Sequence, residues 1–96
     1  MLMRRDWIHR GVIYEVFPRN FSHDGDLAGV TRRLDELAFM GVDVLWLMPI
    51  HPMGALHRKG PEGSPYSIAD HRAVDPAVGS MDDLRDLVAV AHLHGM

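Results

Sequence analysis

Gly41-Val42-Asp43-Val44-Leu45-Trp46-Leu47-Met48-Pro49 is apolar at almost every position rather than at every second one. A strand with one wet face alternates, whereas a strand covered on both faces of a parallel sheet reads as a run. The segment therefore predicts a parallel strand over about residues 42–48, with Asp43 on an exposed rim at its start and Pro49 as its stop.

The preceding residues change period. Leu27, Val30, Leu34, Leu37 and Ala38 recur at helical spacing, while Arg32, Arg33, Asp35 and Glu36 take the other side. Gly41 follows Met40 where a helix-terminating glycine belongs, so one helix is expected over about 27–40. Further upstream, Gly11-Val12-Ile13-Tyr14-Glu15-Val16-Phe17 is rich in β-branched and aromatic residues and meets Pro18, which predicts a strand over about 11–17. Arg19 to Gly25 reads as a polar turn.

Downstream, residues 50–80 are rich in glycine and proline and read as one long loop, a kind that is uncommon in compact domains and usually functional. Ser80 then offers an N-cap with Asp83 three residues on, and Asp82 and Asp83 suit the positive end of a helix. Met81, Leu84, Leu87, Val88 and Ala91 form an apolar stripe, and Gly95 closes a helix expected over about 81–94. The order is thus strand, helix, strand, loop, helix, a parallel β-α-β-α arrangement of the α/β class. Two strands cannot close a sheet, each keeps an unpaired edge, and the apolar faces of Trp46 and its neighbours would lack their partners. The pattern is that of part of a larger α/β unit, truncated before a third strand.

The chain has 96 residues, 47% apolar and 24% charged, which fits a packed globular protein and not a disordered one. A net charge of −3 gives no basic surface for nucleic acid or an anionic membrane. Without cysteine there is no disulfide framework and no thiolate metal site. No apolar run follows Arg4-Arg5-Asp6, so no signal peptide is read and a cytoplasmic site is expected.

Four motifs in order carry a family resemblance. Trp7-Ile8-His9-Arg10-Gly11-Val12-Ile13-Tyr14-Glu15-Val16-Phe17-Pro18-Arg19-Asn20-Phe21 resembles the first barrel strand of the α-amylase family of glycoside hydrolases. Gly41 to Ile50 resembles its second strand with the proline at the top. Gly63-Ser64-Pro65-Tyr66-Ser67-Ile68-Ala69-Asp70-His71-Arg72-Ala73-Val74-Asp75-Pro76 and Gly79-Ser80-Met81-Asp82-Asp83-Leu84 look like the loop leading into the next helix. Ala91-His92-Leu93-His94-Gly95-Met96 looks like the segment before strand three. The resemblance covers residues 7–96 and implies the first two units of a TIM-type (β/α)8 barrel that acts on α-linked glucans or maltooligosaccharides with retention. Such barrels run to about 250 residues, so the rest of the barrel is an implied partner.

Retention requires two carboxyl groups roughly 5–5.5 Å apart across the scissile bond. The resemblance places these groups, and a third aspartate, after strands four, five and seven, so no catalytic residue is expected here and the 96 residues alone are expected to be inactive. Tyr66 matches the family tyrosine that stacks on the sugar beside the scissile bond, a role that suits an aromatic plane against the C–H face of a pyranose. The alternative for Tyr66 is packing of its loop onto the barrel rim. Asp70 and Asp75 are read as turn-forming or capping aspartates rather than as a substitute catalytic pair, and Asp70 as bracing that loop.

Neither a cofactor nor a metal is expected within the chain. His92 and His94 are two apart on a helix and point to different faces, and His51 and His57 bring no fixed carboxylate with them. Some family members hold calcium in the loop after strand one, so calcium remains an option for the intact enzyme. That loop is shortened here to His23-Asp24-Gly25-Asp26, with two aspartates against the six to eight oxygens calcium prefers. Trp46, Met40, Met48 and Met81 are expected in the core. Arg19 is a candidate to bond within the barrel mouth.

Two other functional classes stay open. One is a non-catalytic carbohydrate- or protein-binding module of amylase type, and the other is an α/β piece that buries its open edges by self-association. Whether the intact protein hydrolyses, transfers or isomerises glucans, and at which linkage, is decided outside these residues.

Overall fold

The computed structural model describes residues 11–52 and 72–96. Strand β1 (Ile13–Val16) is followed by three short helices, α1 (Pro18–Phe21), α2 (Leu27–Thr31) and α3 (Leu34–Phe39), then strand β2 (Val44–Leu47) and the long helix α4 (Met81–Leu93). The strands pair in parallel, Ile13 against Val44 through Val16 against Leu47. Bonds at both ends extend the ladder. Val12 O accepts from Asp43 N and Val44 N, and Val16 O accepts from Met48 N. Asp43, exposed at the start of β2, also accepts from Val12 N–H through Oδ2 at 2.9 Å, which pins the register at this end.

The helix expected over 27–40 is two helices. Arg33 leaves helical geometry, at φ −111° and ψ 9°, and its N–H bonds back only three residues, to Val30 O. Its guanidinium reaches Phe21 O at 3.2 Å, sits 4.6 Å from the centre of the Phe21 ring, and grips Glu36. These contacts hold the tightened turn at Arg32-Arg33. The apolar period passes through it unchanged, so Leu27, Val30, Leu34 and Leu37 are all buried.

The turn expected at Arg19 begins as helix α1. Pro18 has its φ preset for a first helical position, and Asn20 and Phe21 donate to Phe17 O. Helix α3 ends in a Schellman motif, with Gly41 N bonded to Ala38 O and Val42 N to Leu37 O. Gly41 sits at φ +90°, a conformation a β-carbon disfavours. Helix α4 ends the same way, with Gly95 N bonded to His92 O and Met96 N to Ala91 O. At its start, Ser80 Oγ accepts from Asp83 N, and the Asp83 carboxylate accepts in turn from Ser80 N, a complete capping box.

The core joins Val16, Leu27, Val30, Leu34, Leu37, Val42, Ile50, Val78, Leu87 and Ala91. Tyr14, Leu45 and Leu47 pack against it. By the period-two rule these share one face of the sheet with Val16. The opposite face carries Ile13, Glu15, Val44 and Trp46; Val44, half-buried, reaches the edge beside α4, while the described residues leave Ile13 57% and Trp46 53% exposed. Strand β2 is therefore not covered on both faces within the described residues, and Trp46 is not a core residue. Met40 and Met81 are exposed as well, one capping α3 and the other opening α4, and of the expected core methionines only Met48 is half-buried. Val88 also departs from the expected stripe. It is exposed and lines an apolar groove with Val44, Leu45, Leu87, Ala91 and Met96 between β2 and α4.

Candidate functional site at the ends of the strands

Ligands of parallel α/β sheets bind beyond the carboxyl ends of the strands. Here that end is built from the segments that leave β1 and β2. Pro18 turns the chain into α1 directly after β1, which sets Arg19 beside the top of the sheet. Pro49 ends the run after β2, and Ile50 is buried just beyond it.

The chain comes back to this point at residues 72–78. Asp75 N donates to Ile50 O at 2.8 Å, and Asp75 O accepts from Val78 N and Gly79 N. The Asp75 carboxylate divides its bonds. Oδ1 accepts from Ala77 N at 3.0 Å, a turn closed by the aspartate itself, and Oδ2 accepts from Arg19 Nη2 at 2.5 Å. The Arg19 and Asp75 side chains are 7% and 18% exposed, so the charges are largely removed from water. The Arg19 guanidinium also lies 5.9 Å from the centre of the Phe17 ring. His51 Nδ1 is 2.9 Å from Ala73 O. A carbonyl can only accept, so this nitrogen carries a proton.

Arg19 thus does bond at the mouth. Its partner lies 56 residues on, and no local pattern joins the two in sequence. Asp75 combines its turn with an ion pair. Tyr66, Asp70 and His57 lie outside the described residues. In the loop after β1, Asp24 pairs with Arg32 at 3.0 Å and Asp26 accepts from Gly29 N at 2.8 Å as the N-cap of α2. His92 lines the groove beside Met96, while His94 caps α4. Among the described residues no three His, Cys, Asp or Glu side chains gather as a metal site. No helix among them is long and apolar enough to cross a membrane.

The family described as alpha amylase, catalytic domain, matches residues 13–96. The chain belongs to the α-amylase family. Its parallel β1–β2 pair and helices are a fragment of the TIM-type barrel of that family. An α-amylase from Lactobacillus plantarum superposes with a TM-score of 0.92 at 43% identity, over 96% of this chain and 22% of that one. A maltogenic α-amylase from Thermotoga neapolitana gives a TM-score of 0.83 at 38% identity, over 90% of this chain and 21% of that one. Among curated relatives, an α-1,4-glucan:maltose-1-phosphate maltosyltransferase of Pseudomonas aeruginosa is 42% identical over 86% of this chain and 15% of its own length. A glucan 1,6-α-glucosidase of Streptococcus dysgalactiae subsp. equisimilis is 35% identical over 98% of this chain and 17% of its own length. The chain therefore spans 15% and 17% of these two amylase-family relatives.

Proposed function

We propose that these residues form the first two β/α units of an enzyme acting on α-linked glucans or maltooligosaccharides, with retention at the anomeric carbon. The observation that carries the reading is the match over residues 13–96. The parallel register of β1 and β2 and the closed base of the segment between Ile50 and Asp75 at the strand tops support it. Relatives over this segment include both a maltosyltransferase and a glucosidase, so these two units are compatible with transfer and with hydrolysis.

In this reading the chain contributes binding and framework rather than acid–base chemistry. Tyr66 covers the apolar face of the sugar beside the scissile bond. The nucleophile and the acid/base carboxyls come from later units. In this reading the loop after β1 is not a calcium site: it offers two carboxylates against the six to eight oxygens calcium prefers, and each already accepts one bond within the chain, one from Arg32 and one at the α2 N-cap.

The test joins this chain to units three to eight of the Lactobacillus plantarum relative and follows release from 4-nitrophenyl maltosides. Turnover is expected from the joined protein and none above a buffer blank from the 96 residues alone. Tyr66→Ala should raise KM about tenfold, the equivalent of about 1.4 kcal/mol, while Tyr66→Phe keeps the stack and stays close to the parent. Persistent turnover by the purified isolated chain would contradict the assignment of the catalytic groups to later units.

A further inference from the structure

Glu15 is the charged side chain on the open face of the sheet. By the period-two rule it shares that face with Ile13, and it stands opposite Trp46 in the parallel register. Val44, opposite Ile13, completes the set, so a carboxylate is placed among apolar side chains. It is exposed, and no hydrogen bond or ion pair among the described residues uses it. The carboxylate at the amino end of β2 behaves differently, since Asp43 accepts from Val12 N–H. Glu15 lies toward the carboxyl end, one residue before β1 closes at Val16 and so about 3 Å below it.

In a closed barrel this face becomes an interior filled by layers of side chains, with the active site at the carboxyl ends of the strands. A carboxylate there is cut off from water and is costly unless paired. The backbone N–H groups of a closed barrel are taken by the ladder itself, so the compensation comes from a side chain. We infer that Glu15 is a positioning residue of the intact enzyme: inside the barrel its carboxylate pairs with a cationic side chain of a later strand and holds that cation in place beneath the catalytic carboxyls. A guanidinium fits best, because its planar fork meets both oxygens of a carboxylate. The inference rests on the functional reading above and deepens it at the same site. Retaining hydrolysis needs one carboxyl ionised and its neighbour protonated. A cation released from Glu15 would be drawn to those carboxyls and would hold the proton donor ionised. The loss then falls on the chemical step rather than on sugar binding.

The experiment uses the full-length enzyme carrying these units, with Glu15→Gln and Glu15→Leu. Melting temperature, and KM and kcat on a maltooligosaccharide, are measured for each, and the unsubstituted enzyme is crystallised. The crystal should show a cationic nitrogen within about 4 Å of the Glu15 carboxylate. A carboxylate that meets only water or neutral groups overturns the proposal. Both variants should melt earlier, because each leaves the cation unpaired. Both should lose about tenfold or more in kcat with KM changed far less. Variants that melt earlier and keep kcat overturn the proposal and leave the pair a purely structural contact. A raised KM at unchanged kcat also overturns it, by setting Glu15 against the sugar. If Glu15→Leu does not fold, Glu15→Gln, which keeps the shape, decides on the same quantities. An unsubstituted enzyme with no action on maltooligosaccharides overturns the functional reading, and positioning with it. That result is visible before any variant is made.

Discussion

The two faces of the β1–β2 sheet carry similarly apolar side chains and meet opposite surroundings. On one face Tyr14, Val16, Leu45 and Leu47 join a core with Leu27, Val30, Leu34 and Leu37. On the other Ile13 and Trp46 are more than half exposed, with Glu15 beside Trp46 across the strands. The first face explains how this stretch of chain holds together. The second has no purpose in a two-stranded sheet and an obvious one in a cylinder, where it becomes the packed interior. The residues of β2 are thus suited to neighbours on both sides, although among the described residues mainly one side has them.

Substitutions on the covered side should do the most damage. Leu34 is fully buried, and Leu34→Ala should cost about 2–5 kcal/mol. That is a large part of the stability of any small unit, so loss of cooperative unfolding by circular dichroism is expected. The junction that returns the chain to the sheet comes next. Gly41 lies at φ +90°, and a β-carbon added there would meet no described atom within 4 Å. Gly41→Ala should therefore cost only the conformational penalty, about 1–2 kcal/mol, read as a shift of the denaturant midpoint at constant slope. Ser80→Ala removes one half of the α4 capping box and should cost about 1 kcal/mol in the same measurement. The smallest effect belongs to the open face. Trp46→Ser should leave the stability of the isolated chain within about 0.5 kcal/mol, and a larger loss would mean that Trp46 already has a packed partner.

The covered face is legible in the sequence because a helical period and a strand run each leave a local signature. The Leu27–Leu37 stripe, the Gly41 and Gly95 stops and the Ser80 cap can all be read from neighbours a few residues apart. The break at Arg32-Arg33 cannot, because a tightened turn leaves the apolar spacing intact, and what holds it is a contact to Phe21. Helix α1 is hidden because a proline after a strand marks a stop and a first helical position equally well. The exposure of Trp46 follows from the partners present rather than from its own neighbours, so a run of apolar residues states what the strand is suited to and not what covers it. At the mouth, Arg19 is recognisable as a candidate, while its partner Asp75 is recognisable only as a turn. The ion pair exists because the parallel crossover brings the two segments together.

Trp46 itself reports whether the open face is a barrel lining. In a Trp7→Phe background it is the remaining tryptophan, and its emission and quenching by acrylamide report its surroundings. The uncovered face should leave Trp46 red-emitting and readily quenched in the 96-residue chain, and blue-shifted and protected when the same residues open a complete barrel. Equal emission and equal quenching in the two would show that this face is not the lining of a closed cylinder.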